Sequence, residues 1–223
     1  MSAKPIAAEA LLFDLDGTLV DTLPDLAEAA ARTSSDLGLP MSSLLEIRRW
    51  VGDGIAELVR RFMAANGRTD PAEVAAALER FKAHYAEVNG MASRPYEGVP
   101  ETLAELSCRG LVMGCVTNKD WKFTLPLLEA LDLAPFFDVV VAGDTLPVKK
   151  PDPAMVLHAC EHLNRPSERA LLVGDSAIDA QAGQGAGVAV ALVTYGYGDP
   201  ESLRRLPASV FLDRFPELLN YLA

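Results

Sequence analysis

The stretch "LLFDLDGTLVDT" carries an apolar run straight into Asp14 and, two residues later, Asp16. Side chains two apart in extended chain point the same way, so these carboxylates repel each other. A cation between them, or a proton kept on one, makes the pair tolerable. Three later turns offer complementary chemistry: "TNKD" with Thr117 and Asn118, "GDTLPVKKPDP" with Lys149 and Lys150, and "GDSAID" with Asp175 and Asp179.

Asp14, Asp16 and Asp175 around one open site suit Mg²⁺, a hard cation that keeps waters and accepts a substrate phosphate. No thiol or imidazole lies close in sequence, which disfavours a softer metal. Carboxylates, a hydroxyl or amide donor and a lysine around Mg²⁺ are the equipment of phosphoryl transfer. In that reading Asp14 is the nucleophile and forms an aspartyl-phosphate. Asp16 protonates the leaving oxygen and then deprotonates the hydrolytic water. Thr117 and Asn118 hold phosphate oxygens, and Lys149 or Lys150 balances the phosphoryl charge. Asp179, expected on the same helical face as Asp175, orients the lysine or a metal-bound water.

These turns must be brought to one place. Each follows a short apolar run: Ala10 to Phe13, Leu111 to Val116, Val139 to Ala142 and Ala170 to Val173, with a fifth run from Val188 to Val193. Runs of near-continuous hydrophobicity read as strands buried on both faces. Their alternation with helical patterns predicts an α/β fold with a doubly wound, Rossmann-like parallel sheet. Ligands bind such sheets beyond the carboxyl ends of the strands, where the four turns would gather. Among the helices, "VPETLAELSCRG" sets Val99, Leu103 and Leu106 on one stripe and stops at Gly110. "DPAMVLHACEHLN" is expected to start with Asp152 as cap and Pro153 as the first helical residue.

Between the first two strands lies a long segment without a strand-like run. Leu23 to Leu37 and Ile55 to Asn66 read as helices. So does "DPAEVAAALERFKAHYAEV", with Asp70 and Glu73 as a capping pair and Val74, Leu78, Phe81, Tyr85 and Val88 as its apolar stripe. The expected organisation is a core domain of residues 1–19 and 92–223 carrying an inserted all-helical cap domain of residues 20–91. "WVGDGI", with Gly52 and Gly54, is the candidate cap loop facing the core. Arg48 and Arg49 beside it are candidates to recognise a second anionic group.

Half of the 223 residues are hydrophobic, which supports a sizeable core and argues against disorder. The formal net charge of −11 argues against nucleic acid, and any anionic substrate must find a local positive island. Apolar runs stop short of a membrane span, and "MSAKPIAAEA" has no signal-peptide pattern, so a cytoplasmic protein is expected. Cys108, Cys115 and Cys160 are read as buried reduced thiols. His158 and His162, four apart in a helix, are read as a solvated pair without a third ligand.

With these four motifs the chain resembles the haloacid-dehalogenase superfamily over nearly its whole length. Asp14 and Asp16 fit the first motif, Thr117 the second, Lys150 before Pro151 the third, and Asp175 with Asp179 the fourth. The insertion matches the first type of cap of that superfamily. Within it, "VTNKDWKFTLPLLEALDL", "KKPDP", "TYGYG" and "WVGDG" look like the bacterial phosphoglycolate phosphatases. That resemblance implies Mg²⁺-dependent hydrolysis of 2-phosphoglycolate, with Asp14, Asp175 and the backbone carbonyl of Asp16 contacting the metal. It implies a small-molecule phosphate ester as partner, with a monomer or homodimer. A phosphatase for a sugar phosphate such as N-acetylmuramic acid 6-phosphate, or a β-phosphoglucomutase-like phosphotransferase, would use the same catalytic set.

Overall fold

The computed structural model describes residues 5–223. Expectations that begin at Met1, the reading of "MSAKPIAAEA" among them, fall partly on residues 1–4 and lie outside the described residues. Six strands form one sheet: β1 (Ala10–Phe13), β4 (Val112–Val116), β5 (Val139–Val141), β6 (Ala170–Gly174), β7 (Ala189–Val193) and β8 (Val210–Leu212). Their order is β5-β4-β1-β6-β7-β8, and every pairing is parallel. The five expected runs are the first five of these, each within a residue or two.

All four residues of β1 are buried, because alternate side chains fill different cores. Leu11 and Phe13 pack with Leu103 and Leu106 of α5 (Val99–Cys108) and with Phe215. Ala10 and Leu12 pack on the other face with Met155, Val156 and Ala159 of α7 (Ala154–His162). The chain runs outward from β1 through β4 to β5, then crosses back to start β6 on the other side. The order of strands therefore reverses beside β1, the position at which an open parallel sheet leaves a crevice.

The segment between β1 and β4 carries the expected helices α1 (Leu23–Leu37), α3 (Ile55–Ala65) and α4 (Pro71–Val88), and an unexpected one, α2 (Leu44–Trp50). It has its own apolar cluster, which includes Leu26, Ile47, Leu58, Phe62, Phe81 and Tyr85 and is joined by Phe123 from α6 (Trp121–Ala130). The Asp70 carboxylate caps α4 by accepting from the peptide N–H groups of Ala72 and Glu73 at 2.9 and 3.1 Å. In α7 the helix begins one residue later than expected. Pro153 is its N-cap, and Asp152 accepts from the Ala154 N–H at 2.9 Å.

The insertion is entered and left side by side. β2 (Val20–Asp21) pairs antiparallel with β3 (Arg94–Pro95). One residue clamps this junction: Asp25 of α1 is buried and accepts from the N–H groups of Gly90, Ala92 and Ser93 at 2.8, 2.8 and 3.0 Å, and from the Ser93 hydroxyl. Asp25→Ala would leave these donors without their acceptor. It is expected to cost about 3 kcal/mol or more, read as a lower urea midpoint at unchanged m-value.

Candidate active site

The site is built at the carboxyl edge of β1, β4 and β6, with the loop after β5. Asp14 follows β1 and is held in line by its N–H, which donates to the Val173 carbonyl of β6 at 2.9 Å. Thr117 and Asn118 follow β4, and Asp175 follows β6. Lys150 comes from the loop between β5 and α7. Asp14, Thr117, Asn118, Lys150, Asp175 and Asp179 are all buried.

Lys150 is the centre of the arrangement. Its Nζ donates to Asp14 Oδ1 at 2.8 Å and to Asp179 Oδ1 at 2.7 Å. Lys149 points elsewhere, to Asp120 Oδ1 at 3.0 Å and the Asn118 carbonyl at 3.2 Å. The choice between the two lysines left open by their adjacency is thus made by geometry. Asp179 has both oxygens engaged, Oδ1 by Lys150 and Oδ2 by the Ser176 hydroxyl and N–H at 2.6 and 3.2 Å. That makes it the third residue of a capped helix α8 (Ala177–Ala186). Asp175 lies before this helix, so the two aspartates do not share a helical face as expected. They converge instead because the strand end and the first helical turn fold over each other.

Asp14, Asp175 and Asp179 bring carboxylate oxygens within 4.8 Å of one another. Three acidic groups face one ammonium, and all the carboxyl donors are hard oxygens. Burial pushes the Asp14 carboxyl up to about 7 against the pull of Lys150, with Asp179 adding to the rise. Burial likewise raises Asp175, with Asp179 and Asp14 next. Asp14 uses one oxygen for Lys150, and Asp175 uses one for the Tyr197 N–H at 2.6 Å. The second oxygen of each, and the Asp16 carbonyl, have no hydrogen bond among the described residues. A buried site short of positive charge, with uncommitted oxygens, fits a divalent hard cation. Gly17 makes room for the Asp175 carboxylate itself: at φ 87° an added Cβ would stand 2.4 Å from Asp175 Oδ2.

The Asp16 side chain takes a separate course. Its Oδ1 and Oδ2 accept from Lys119 Nζ at 2.9 and 3.1 Å, and Oδ1 also accepts from the Thr22 hydroxyl at 2.7 Å. Thr117 Oγ1 accepts from the Lys119 N–H at 3.2 Å, which leaves its own O–H free to donate. The Asn118 side chain is fully used between loops. Its Nδ2 donates to the carbonyls of Gly52 and Lys150, each at 2.9 Å, and its Oδ1 accepts from the Lys150 N–H at 2.9 Å. The side chain is therefore not free for the expected phosphate contact, whereas the Asn118 peptide N–H has no partner among the described residues.

The "WVGDGI" loop faces the core. Gly52 and Gly54 line a narrow cleft, with Asp14, Asp16, Thr117, Asn118 and Lys119 opposite. Leu26, Val51, Ile55 and Leu58 of the insertion complete its wall. Gly54 has φ 88°, and a Cβ there would press to 3.0 Å on the Asn118 carbonyl and Lys149 Nζ. Arg48 does not offer its charge to this cavity; it donates to the carbonyls of Gly196 and Tyr197.

Three residues carry this geometry without having been singled out in the sequence: Lys119, Tyr197 and Asp25. Tyr197 Oη accepts from the N–H groups of Thr22 and Leu23 at 2.7 and 2.9 Å and donates to Asp21 at 2.9 Å. It ties the Asp175 loop to the entrance of the insertion. Elsewhere, Cys115 and Cys160 are buried but Cys108 is exposed, contrary to expectation. His158 and His162 have Glu161 beside them with potential ligand atoms within 4.8 Å, so the pair does not lack a third candidate.

The fold and these four turns define a hydrolase class. The sequence profile of the haloacid dehalogenase-like hydrolases matches residues 11–193, and the chain belongs to that family. Among its relatives, the phosphoglycolate phosphatase of Thiobacillus denitrificans is 43% identical over 88% of both chains. That of Nitrosococcus oceani is 39% identical over 96% of both. A solved structure described as a phosphoglycolate phosphatase predicted in Haemophilus somnus superposes with a TM-score of 0.89 at 32% identity, covering 96% of this chain and 97% of that one. CbbY from Rhodobacter sphaeroides, solved in complex with phosphate, gives 0.82 at 27% identity, covering 95% and 96%. No helix among the described residues is long and apolar enough to cross a membrane.

Proposed function

We propose that this hydrolase is a Mg²⁺-dependent phosphomonoesterase whose substrate is 2-phosphoglycolate, released as glycolate and phosphate. The observation that carries the reading is Asp14, which lines the cavity with one oxygen on Lys150 and the other uncommitted. The names of the relatives at 39–43% identity supply the substrate.

In this reading Asp14 Oδ2 attacks phosphorus, an O–P bond forms on Asp14, and the bond to the ester oxygen breaks. Asp16 gives its proton to the departing oxygen and later takes one from the water that attacks the aspartyl-phosphate. Thr117 Oγ1, the Asn118 N–H and Lys150 Nζ receive the phosphoryl oxygens. Asp179 positions Lys150, and Asp14, Asp175 and the Asp16 carbonyl hold the cation. Bound there, Mg²⁺ would polarise the phosphoryl group and offset the paired carboxylates. Residues 20–91 act as a cap domain over the core of 1–19 and 92–223, and their apolar wall keeps bulk water from the intermediate.

The test is phosphate release from 2-phosphoglycolate, hexose phosphates and N-acetylmuramic acid 6-phosphate, with Mg²⁺ and with EDTA. Phosphoglycolate should lead in kcat/KM and only with the metal. A sugar phosphate in the lead would reassign the substrate, and turnover undiminished in EDTA would remove the metal.

Metal binding should also leave a thermodynamic mark. Asp14 is raised from 3.8 to about 7, so the metal-free native state holds a proton that the unfolded chain has lost. Its contribution to stability falls as pH rises from about 4 through about 7, and Mg²⁺ must displace that proton wherever the pH lies below about 7. The gain in Tm on adding Mg²⁺ is therefore expected to be larger near about pH 8 than near about pH 5.5. Equal gains at both would contradict cation binding at Asp14.

A further inference from the structure

Lys119 is buried, with its ammonium in contact with both oxygens of Asp16 and 4.9 Å from the ring centroid of Tyr85. Burial opposes this charge, yet Asp16 foremost holds its pKa above the ordinary lysine value. A buried lysine of this kind is costly and needs its partner. It is also the one cation among the residues that line the cavity. The other cations near the site have fixed partners. Lys150 lies between Asp14 and Asp179, Lys149 on Asp120, Arg48 on two carbonyls, and Arg61 on Asp53 and Glu57.

As it stands, this pair occupies the group that must move a proton. Asp16 has Lys119 on both oxygens and Thr22 on one, while the leaving oxygen would lie in a cavity otherwise walled by Leu26, Val51, Ile55 and Leu58. We propose that Lys119 is the residue that reads the leaving group, and that it frees Asp16 by shifting its ammonium onto a carboxylate carried by the substrate. An ammonium has three donors and no fixed plane, so it can pass from one carboxylate to a second without losing its counter-charge. The substrate class is then a phosphomonoester whose alcohol bears a carboxylate on the carbon next to the ester oxygen's carbon or on that carbon itself. Its anion reaches Lys119 while its ester oxygen reaches Asp16. No bond to Lys119 forms or breaks, and it keeps its protons throughout; the proton that Asp16 gives to the ester oxygen is taken up from water once the ammonium has left its oxygens. A neutral leaving group supplies no anion, and the Asp16–Lys119 pair stays closed. This inference rests on the phosphomonoesterase reading and adds to it the residue that selects the ester.

The experiment compares kcat/KM for 2-phosphoglycolate and for 2-hydroxyethyl phosphate, which has a hydroxymethyl group in place of the carboxylate, in the wild type, Lys119→Met and Lys119→Arg. The wild type should favour phosphoglycolate by about 100-fold or more. In Lys119→Met that ratio should collapse to within about fivefold, and Lys119→Arg should restore part of it. A ratio that survives in Lys119→Met, with both esters slowed alike, would overturn the role of Lys119 while leaving the phosphatase reading intact. A wild type that turns over neither ester would overturn both. A second readout does not depend on the variant folding: glycolate should inhibit the wild type at least about tenfold more strongly than ethylene glycol. Equal inhibition by the two alcohols would overturn the assignment.

Discussion

Asp14→Asn is expected to lose turnover by about 10⁴-fold or more while the protein stays folded. The amide has the shape of the carboxylate but cannot accept the phosphoryl group. The same change should leave a second, less obvious sign. Burial raises the Asp14 carboxyl to about 7, so at about pH 8 its charge is held at a cost. An uncharged amide removes that cost, and Lys150 retains Asp179 at 2.7 Å. Measured in EDTA near about pH 8, the variant should melt no lower than the wild type, and its gain in Tm from Mg²⁺ should shrink. Full activity would remove Asp14 as nucleophile, and a large fall in Tm would mean that its charge supports the fold.

The opposite outcome is expected for Lys150→Met. Here the cation is deleted and Asp14 and Asp179 are left facing each other, with no counter-charge at the position Nζ occupied. Breaking a buried pair from one side costs about 3–5 kcal/mol. Urea denaturation should show a loss of this order, together with loss of turnover. Removing the stranded charge as well, in Lys150→Met with Asp179→Asn, should recover part of the stability and none of the activity. Recovery of both would make Lys150 a structural residue only.

The sheet was legible because β1, β4, β6 and β7 are buried on both faces, which forces long apolar runs. β8 was not, since three residues with a partly buried Phe211 at their centre make too short a run. α2 escaped for a related reason. Its leading residues Leu44 and Leu45 are 59% and 56% exposed, so its apolar pattern does not mark its buried side. At the site, the residue types announced the four turns, but contacts between distant loops were invisible. Asn118 looked like a phosphate ligand because an amide can be one; its side chain is instead consumed by Gly52 and Lys150. Lys119 in "TNKD" gives no signal of its role, because nothing in a lone lysine's neighbours along the chain foretells burial against Asp16. The hydroxyl of Tyr197 was equally hidden, its partners Asp21, Thr22 and Leu23 lying far back in the chain.

The placement of β1 has a consequence for the order in which a growing chain acquires its parts. Ala10 pairs with Val112 on one side and with Ala170 on the other, so the strand that carries Asp14 emerges first and waits longest for its neighbours. The four helices made in the interval contact mainly one another, and such local contacts form early. During synthesis an apolar strand with two unpaired edges is a hazard, and α5, through Leu103 and Leu106, is the first element to emerge that packs on it. On the proposed mechanism, catalytic competence then arrives late, when β6 docks and brings Asp175 to Asp14. A ribosome-bound chain arrested before residue 175 should hold a folded helical unit and no active enzyme.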